Sequence, residues 1–266
     1  MNDAPPDSAL HQRWRIVHSI ARDTLLEALR GRWLWLSAAA LAAIITIALM
    51  ARALALTETD ALTLAVVAPL GRLFAVLIVV LSTVAGVVRE RSDRTLLLAL
   101  AAPVGRGTWL GAKALGFSGI AAATGLLLAL PVLALDPGMA AAAWTGSLML
   151  ELVVLAIVTL AIASVLGQVA PAAGAALAFY VLARVLHVVL LLGARAQDYS
   201  DLGLLAPLVR LIGAIIPRLD LFTRTEWLLG LPPDTTALAL LLGQALLYAA
   251  LALSAALIDL RRAALT

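Results

Sequence analysis

Apolar residues in this chain come in long, nearly unbroken runs, not in the alternation of a half-buried strand. Six runs reach the roughly 20 residues that cross a hydrocarbon core about 30 Å thick. They cover 33–56, 62–88, 108–135, 139–167, 172–193 and 236–258. Pro69 and Arg72 interrupt the outer half of the second run, and only residues 168–171 separate the fourth from the fifth, which predicts a tight helical hairpin. The predicted fold is an all-α integral membrane protein: six transmembrane helices in a single membrane domain over 1–266.

Ahead of the first run the pattern changes. Leu10, Trp14, Val17, Ala21, Leu25, Ala28 and Leu29 recur at three- and four-residue intervals with Arg15, Arg22, Asp23 and Arg30 between them, the signature of an amphipathic helix. Residues 10–32 are therefore expected to lie in the inner membrane interface and to feed the chain into the bilayer at Gly31 and Arg32. A helix packed on the cytoplasmic loops is the alternative. A second irregular stretch, 194–235, precedes the last span. Leu202, Leu204, Leu205, Leu208, Val209, Leu211, Ile212, Ile215 and Ile216 make it too apolar for a solvated linker, while Arg210 and Pro217 interrupt it. One or two re-entrant or interfacial helices on the extracytoplasmic side are expected there. A seventh span is the competing reading.

Composition fits this class. The 266 residues are 63% hydrophobic and 13% charged, with a mean hydropathy of +1.04, which leaves too little polar surface for a water-soluble globule. The formal charge is +3. The basic residues punctuate apolar runs and do not cluster on one solvated face, so nucleic-acid binding is not expected. With no cysteine, disulfides, thiolate metal sites and cysteine nucleophiles are excluded.

Positive charge also sets the orientation, because short cytoplasmic loops retain Lys and Arg. If the N-terminus is inside, Arg13, Arg15, Arg22, Arg30, Arg32, Arg89, Arg91, Arg94, Arg106, Lys113, Arg261 and Arg262 fall in the cytoplasm, leaving Arg52, Arg195, Arg210, Arg218 and Arg224 outside. Both termini are expected to be cytoplasmic, in a bacterial cytoplasmic (inner) membrane. A seventh span would move Arg261 and Arg262 outside, against this bias. Trp33, Trp35, Trp109, Trp144 and Trp227 stand near the span ends, where the headgroup layer suits an amphipathic ring. No cleaved signal is expected, since the first apolar run is longer than the usual signal-peptide core and follows about thirty residues of polar chain.

Ionisable residues within spans cost several kcal/mol unless they face protein, water or a partner. Arg72, Glu151 and Arg184 are the three. In a hairpin turning near residue 169, Glu151 and Arg184 come to within about 6 Å of the same depth, and Arg72 lies at a comparable level. An ion pair between Glu151 and Arg184 is geometrically permitted. The trio can line a substrate path or proton relay, or it can lock helix register as a buried ion pair. His187, one turn beyond Arg184, can join either arrangement. Gly116, Gly119, Gly125, Gly167 and Gly174 are expected to permit close helix contacts.

The most specific signal is the polar segment between the second and third runs, 89–107. Arg89, Glu90, Arg91, Ser92, Asp93 and Arg94 form a charged cluster; a short apolar stretch follows, then Pro103 and Arg106. Thr95 suits a helix start, Leu96 and Leu100 share a face, and Pro103 stops continuation. This segment resembles the first cytoplasmic loop of ABC-2 type transporter permeases. In that family a Glu-Arg-Glu-x-Gly-Thr-Leu-Glu-x-Leu-Leu-x-x-Pro-Val-Ser-Arg stretch precedes a Gly-Lys. Glu90, Arg91, Thr95, Leu96, Leu98, Leu100, Pro103, Val104 and Arg106 match in register, and Gly111 and Lys113 stand near the Gly-Lys. Residues 21–30 are similar to the interfacial helix that opens many such permeases. Residues 217–222 resemble an element of permeases grouped with copper-enzyme maturation systems.

The resemblance implies the membrane subunit of an exporter that works by alternating access, as a homodimer or with a related permease. A separate cytoplasmic ABC ATPase would dock on a coupling helix within 89–107, with Glu90, Arg91, Thr95, Leu96, Leu100, Pro103 and Arg106 as the coupling residues. The chain has no Gly-x-x-x-x-Gly-Lys-Ser/Thr loop to cradle a nucleotide. No cofactor is therefore expected in this chain and no enzymatic activity of its own; ATP and Mg would belong to the partner. Ser92, Arg94 and Leu97 depart from the family pattern and make the docking surface more basic and more apolar, which implies an acidic, apolar groove on the ATPase. The alternatives are an ion- or proton-coupled secondary transporter using Arg72, Glu151 and Arg184, and a membrane-embedded enzyme or assembly factor.

Overall fold

The structure is a computed structural model that describes residues 6–54, 59–92, 105–196 and 216–262. Among these every regular element is helical: α1 (Pro6–Arg30), α2 (Trp33–Leu54), α3 (Thr59–Ser92), α4 (Arg106–Leu135), α5 (Met139–Leu166), α6 (Val169–Ala196) and α7 (Thr235–Arg262), with two short 3-10 turns, Leu219–Leu221 and Thr225–Leu229, before α7. Five helices, α2, α3, α4, α5 and α7, are long and apolar enough to cross a membrane. Residues 172–193, expected as a further span, fall on α6, of which the apolar part Val169–Val185 lies among the residues whose side chains are described. Arg184, near the end of that stretch, turns to the protein interior and not to lipid.

α3 runs on through Pro69 for 34 residues, about 51 Å at 1.5 Å per residue, well beyond a hydrocarbon core. A proline removes one N–H from the ladder, but packed neighbours can re-satisfy the freed carbonyl, so it need not end a helix in a membrane bundle. The hairpin between α5 and α6 is as tight as the sequence implies. Gly167 takes φ +65° at the C-cap and its N–H returns to the carbonyl of Ala163 at 3.0 Å. Only a residue without Cβ adopts that conformation at no steric cost.

α5 is the central helix. It packs on α3, α4, α6 and α7, and Trp144, Leu148, Leu152, Leu155 and Leu160 are all at most 1% exposed. Of its most apolar window 56% is buried, against 22% for α2 and 17% for α7. Helices apolar on every face belong inside a bundle or against lipid; α5 is the first case, while α2 and α7 form the rim.

α1 begins four residues earlier than its periodicity predicts, at Pro6, a residue suited to a first helical turn. It packs chiefly along α4, with Leu25 and Ala28 against the core and Trp14 69% exposed. The approach is close because Gly116 has no side chain: a Cβ there would lie 2.7 Å from Thr24 Cβ and 3.2 Å from the Ala21 carbonyl oxygen. Gly125 similarly admits α5 against α4, whereas a Cβ on Gly174 would meet nothing within 4 Å.

The tryptophans depart from expectation. Trp33, Trp144 and Trp227 are turned inward and at most 8% exposed, while Trp35 is 81% exposed. Trp33 makes the reason visible: its Nε1–H donates to Thr124 Oγ1 at 2.9 Å, so the indole finds its polar partner inside the bundle without needing the headgroup layer.

Candidate functional site

Two polar constellations interrupt the apolar bundle. The first lies deep. Glu151 stands twelve residues into α5, about 18 Å along its axis, and is completely buried. Tyr180 of α6 donates its hydroxyl to Glu151 Oε1 at 3.0 Å, Thr223 donates its hydroxyl to Oε2 at 2.7 Å, and Arg184 Nη1 lies 3.5 Å from Oε1. Both carboxylate oxygens are thus engaged, as a buried charge requires.

The two arginines serve the backbone as much as the carboxylate. Arg184 Nη1 donates to the carbonyls of Leu219 and Phe222 and, at 3.2 Å, to Thr223 Oγ1; Nη2 reaches the Thr223 carbonyl at 3.5 Å. From α3, Arg72 Nη1 donates to the Thr223 carbonyl at 3.3 Å and to its hydroxyl at 3.4 Å. The Thr223 N–H donates to Ser147 Oγ of α5 at 2.9 Å. The segment before α7 therefore dips into the bundle, with Leu219, Phe222, Thr223, Trp227 and Leu228 all buried. Irregular backbone at such depth is tolerated only where protein satisfies its polar groups. A guanidinium, with five donors in a fixed fork, can cap several carbonyls at once.

Thr223 is the hub of this cluster, and it adopts φ +45°. Left-handed backbone is unfavourable for a β-branched residue and persists only when the surroundings over-determine it. Here α3, α5 and α6 all hold it. Of the predicted intramembrane residues, Arg72, Glu151 and Arg184 converge on this one threonine. Thr223, Tyr180 and Ser147 escaped sequence reasoning: Tyr180 and Ser147 are uncharged polar residues within apolar runs, Thr223 lies in a mixed stretch between Asp220 and Arg224, and nothing in a one-dimensional pattern announces a shared depth. His187 lies outside the residues whose side chains are described.

The second constellation is at the opposite end of the bundle, where α1 meets α3 and α4. Lys113 of α4 pairs with Glu90 of α3 and donates to Thr24 Oγ1 of α1 at 3.1 Å. Arg89 Nη1 lies 3.9 Å from Glu27 Oε1 of α1. Lys113 is 9% exposed, and partial burial strengthens its pairing relative to a solvated ion pair. Among the predicted coupling residues, Glu90 is thus turned inward to brace three helices. Arg91 falls in the last turn of α3 and Arg106 opens α4, while Thr95, Leu96, Leu100 and Pro103 lie outside the described residues.

No family model matches this chain, and no curated protein matches it significantly. The two constellations and the apolar bundle are what the functional reading rests on.

Proposed function

We propose that this chain is the transmembrane subunit of an ATP-driven exporter of the ABC-2 type, powered by a separate cytoplasmic ATPase that docks on a coupling helix within residues 89–107. In this reading the chain crosses a bacterial inner membrane six times, α6 included, with both termini cytoplasmic and α1 in the inner interface. A second copy or a related permease completes the path, with the lipid-facing rims of α2 and α7 as the surfaces from which a pairing face is drawn. ATP and Mg act in the partner.

The observation that carries the reading is the braced base at the ends of the docking segment. Residues 89–106 resemble the family's coupling loop, and the helices on either side of it are cross-linked by Glu90 and Lys113 and tied to α1 through Thr24. A push on a segment held this way moves α1, α3 and α4 together; a push on an unbraced loop dissipates in the loop. The deep cluster supports the same division of roles. With both oxygens of Glu151 occupied and the side chain fully buried, it acts as a lock joining α3, α5, α6 and the dipping segment, and not as a proton acceptor exposed to a path.

Affinity purification of the tagged chain from its own membranes is the test. The expected result is co-recovery of a subunit that carries a phosphate-binding loop and hydrolyses ATP, and its loss on Leu96→Asp while the bundle keeps its helicity. Leu96 is the better probe because Glu90 also braces the fold. Recovery of the ATPase undiminished by Leu96→Asp and Leu100→Asp would sink the docking assignment. Ion-driven flux by the purified chain in vesicles without ATP, abolished by Glu151→Gln, would replace the proposal with the secondary transporter.

A further inference from the structure

Where α1 turns into α2, the bundle carries a cleft that neither the deep cluster nor the docking segment uses. It has a volume of about 420 Å³ and lies between α1, α2, α3 and α4, within the size range of ligand clefts. Its lining is ordered by polarity. Glu27, Arg32 and Arg89 stand toward one end, and the remainder is mainly apolar, with Leu36, Leu81, Phe117 and Val169 of α6 and with Ser82 and Thr24 as its hydroxyls. Leu36 of α2 follows Arg32, the last residue of the turn before that helix, by four residues, and its N–H returns to the Arg32 carbonyl at 3.0 Å; on α3, Leu81 precedes Arg89 by eight residues, about 12 Å. Because α2 leaves this end of the bundle and α3 returns to it, both helices pass from charge to hydrocarbon in the same direction.

Leu36 and Leu81 are 45% and 44% exposed, so the apolar part is open along its side, toward the lipid that surrounds a membrane bundle. Gly86 shapes the wall: a Cβ there would lie 3.0 Å from Phe117 Cζ, and its absence lets the ring lie against α3. An adjoining hollow shares Glu27, Gly31 and Arg89 and adds Arg30 and Asp23. Three arginines against two acids leave the mouth net positive. The Glu27 contact at 3.9 Å does not use up Arg89, whose side chain is 64% exposed.

A small soluble anion would match the arginines and leave the trough unused; an uncharged apolar ligand would fill the trough and leave the arginines unmatched. We infer that this cleft is a binding site for an anionic phospholipid, with the headgroup phosphate between Arg32 and Arg89 and an acyl chain along Leu36, Leu81 and Phe117. Guanidinium forks suit phosphate oxygens, and basic pockets between membrane helices are a recurrent way to hold acidic headgroups. The inference stands apart from the transport reading, since it requires only that the bundle sit in a bilayer. Its consequence is mechanical: a lipid seated there joins the α1–α2 turn to the end of α3, so the composition of the leaflet bears on how firmly α1 is held.

The test uses the whole chain in vesicles of equal parts phosphatidylcholine and phosphatidylglycerol, extracted in mild detergent, with co-purifying lipid quantified by mass spectrometry. Phosphatidylglycerol should be retained about tenfold over phosphatidylcholine, the effect of two arginines on one headgroup partly offset by Glu27. Arg32→Gln combined with Arg89→Gln should remove the preference. Leu81→Trp, which fills the trough and leaves both arginines in place, should also lower retention. In the unmodified chain, phosphatidylglycerol with a photoreactive acyl chain should cross-link to the peptides bearing Leu36 or Leu81, a result that needs no variant to fold. Equal retention of the two lipids overturns the inference. So does retention that falls with the arginine changes but not with Leu81→Trp, which would mean diffuse surface attraction, or full displacement by inorganic phosphate, which would mean a site for a free anion.

Discussion

Thr223 carries more of the interior polar network than any charged residue does, because its hydroxyl, carbonyl and N–H together meet Glu151, Arg72, Arg184 and Ser147. Thr223→Ala keeps the left-handed strain and removes the hydroxyl, leaving Glu151 Oε2 without its donor. A loss of about 1–3 kcal/mol is expected, read as a lower midpoint in denaturant titration of the detergent-solubilised protein. Thr223→Ser keeps the hydroxyl and relieves the β-branch, so it should stay close to the parent; if serine is as damaging as alanine, the hydroxyl is not what matters. Glu151→Gln should cost about 3–5 kcal/mol, as breaking one side of a buried pair does, and adding Arg184→Leu should cost less than the two changes separately. Strict additivity would show that the pair is not coupled. The charged members of this cluster were legible in the sequence because a charge inside an apolar run is conspicuous and hairpin arithmetic fixes its depth. Thr223 was not, since a β-branched residue argues against the very φ it adopts, and the segment that carries it comes to the site from 72 residues away in sequence.

At the scale of elements, apolar run length located the helices well, because in a bilayer the backbone must satisfy itself and helices are the economical solution. What the runs could not tell was which face each helix turns where. Trp33 and Trp144 stand where a headgroup anchor would stand, yet face the core, because span-end position is read along the axis and burial is decided around it. In the segment before α7 the described part forms two 3-10 turns, Leu219–Leu221 and Thr225–Leu229, while residues 202–215, which carry most of the helix expectation, lie outside the described residues; the carbonyls of Leu219, Phe222 and Thr223 are met by Arg184 and Arg72. The glycines differ in the same way. Gly116→Val must push α1 off α4, since even a Cβ would meet Thr24 at 2.7 Å. With the chain otherwise free of thiols, a cysteine replacing Leu25, which packs against the core, should react slowly with maleimide in the parent and readily in Gly116→Val. Gly174→Ala meets open space and should leave that rate unchanged, with a gain of about 0.5–1 kcal/mol from the better helix former. Equal reactivity in all three proteins would mean that α1 is not held by this contact.

Across the whole molecule the two polar constellations divide the bundle into a braced end and a plugged end. Lys113, Glu90 and Thr24 tie α1, α3 and α4 at one, and the turn around Thr223 fills the other half. α7 begins near the plugged end and finishes at the braced one, where a Cβ on Gly107 of α4 would lie 3.7 Å from Leu257 Cδ1. α1 and the end of α7 therefore share one end of the bundle, and Asp234, just before α7, belongs to the other. With α6 crossing the bilayer, as proposed, these become the two faces of the membrane, and in the proposed orientation, the one the arginine bias favours, the braced end faces the cytoplasm. Single cysteines at Gln12, Asp234 and Ala264 distinguish the possibilities in intact cells treated with a membrane-impermeant maleimide. Asp234→Cys should label from outside, while Gln12→Cys and Ala264→Cys should label only after permeabilisation. Labelling of Ala264→Cys from outside would mean an odd number of crossings, and with it an α6 that stops short; labelling of Gln12→Cys and Ala264→Cys with Asp234→Cys protected would invert the molecule and remove the docking segment from the reach of any cytoplasmic ATPase.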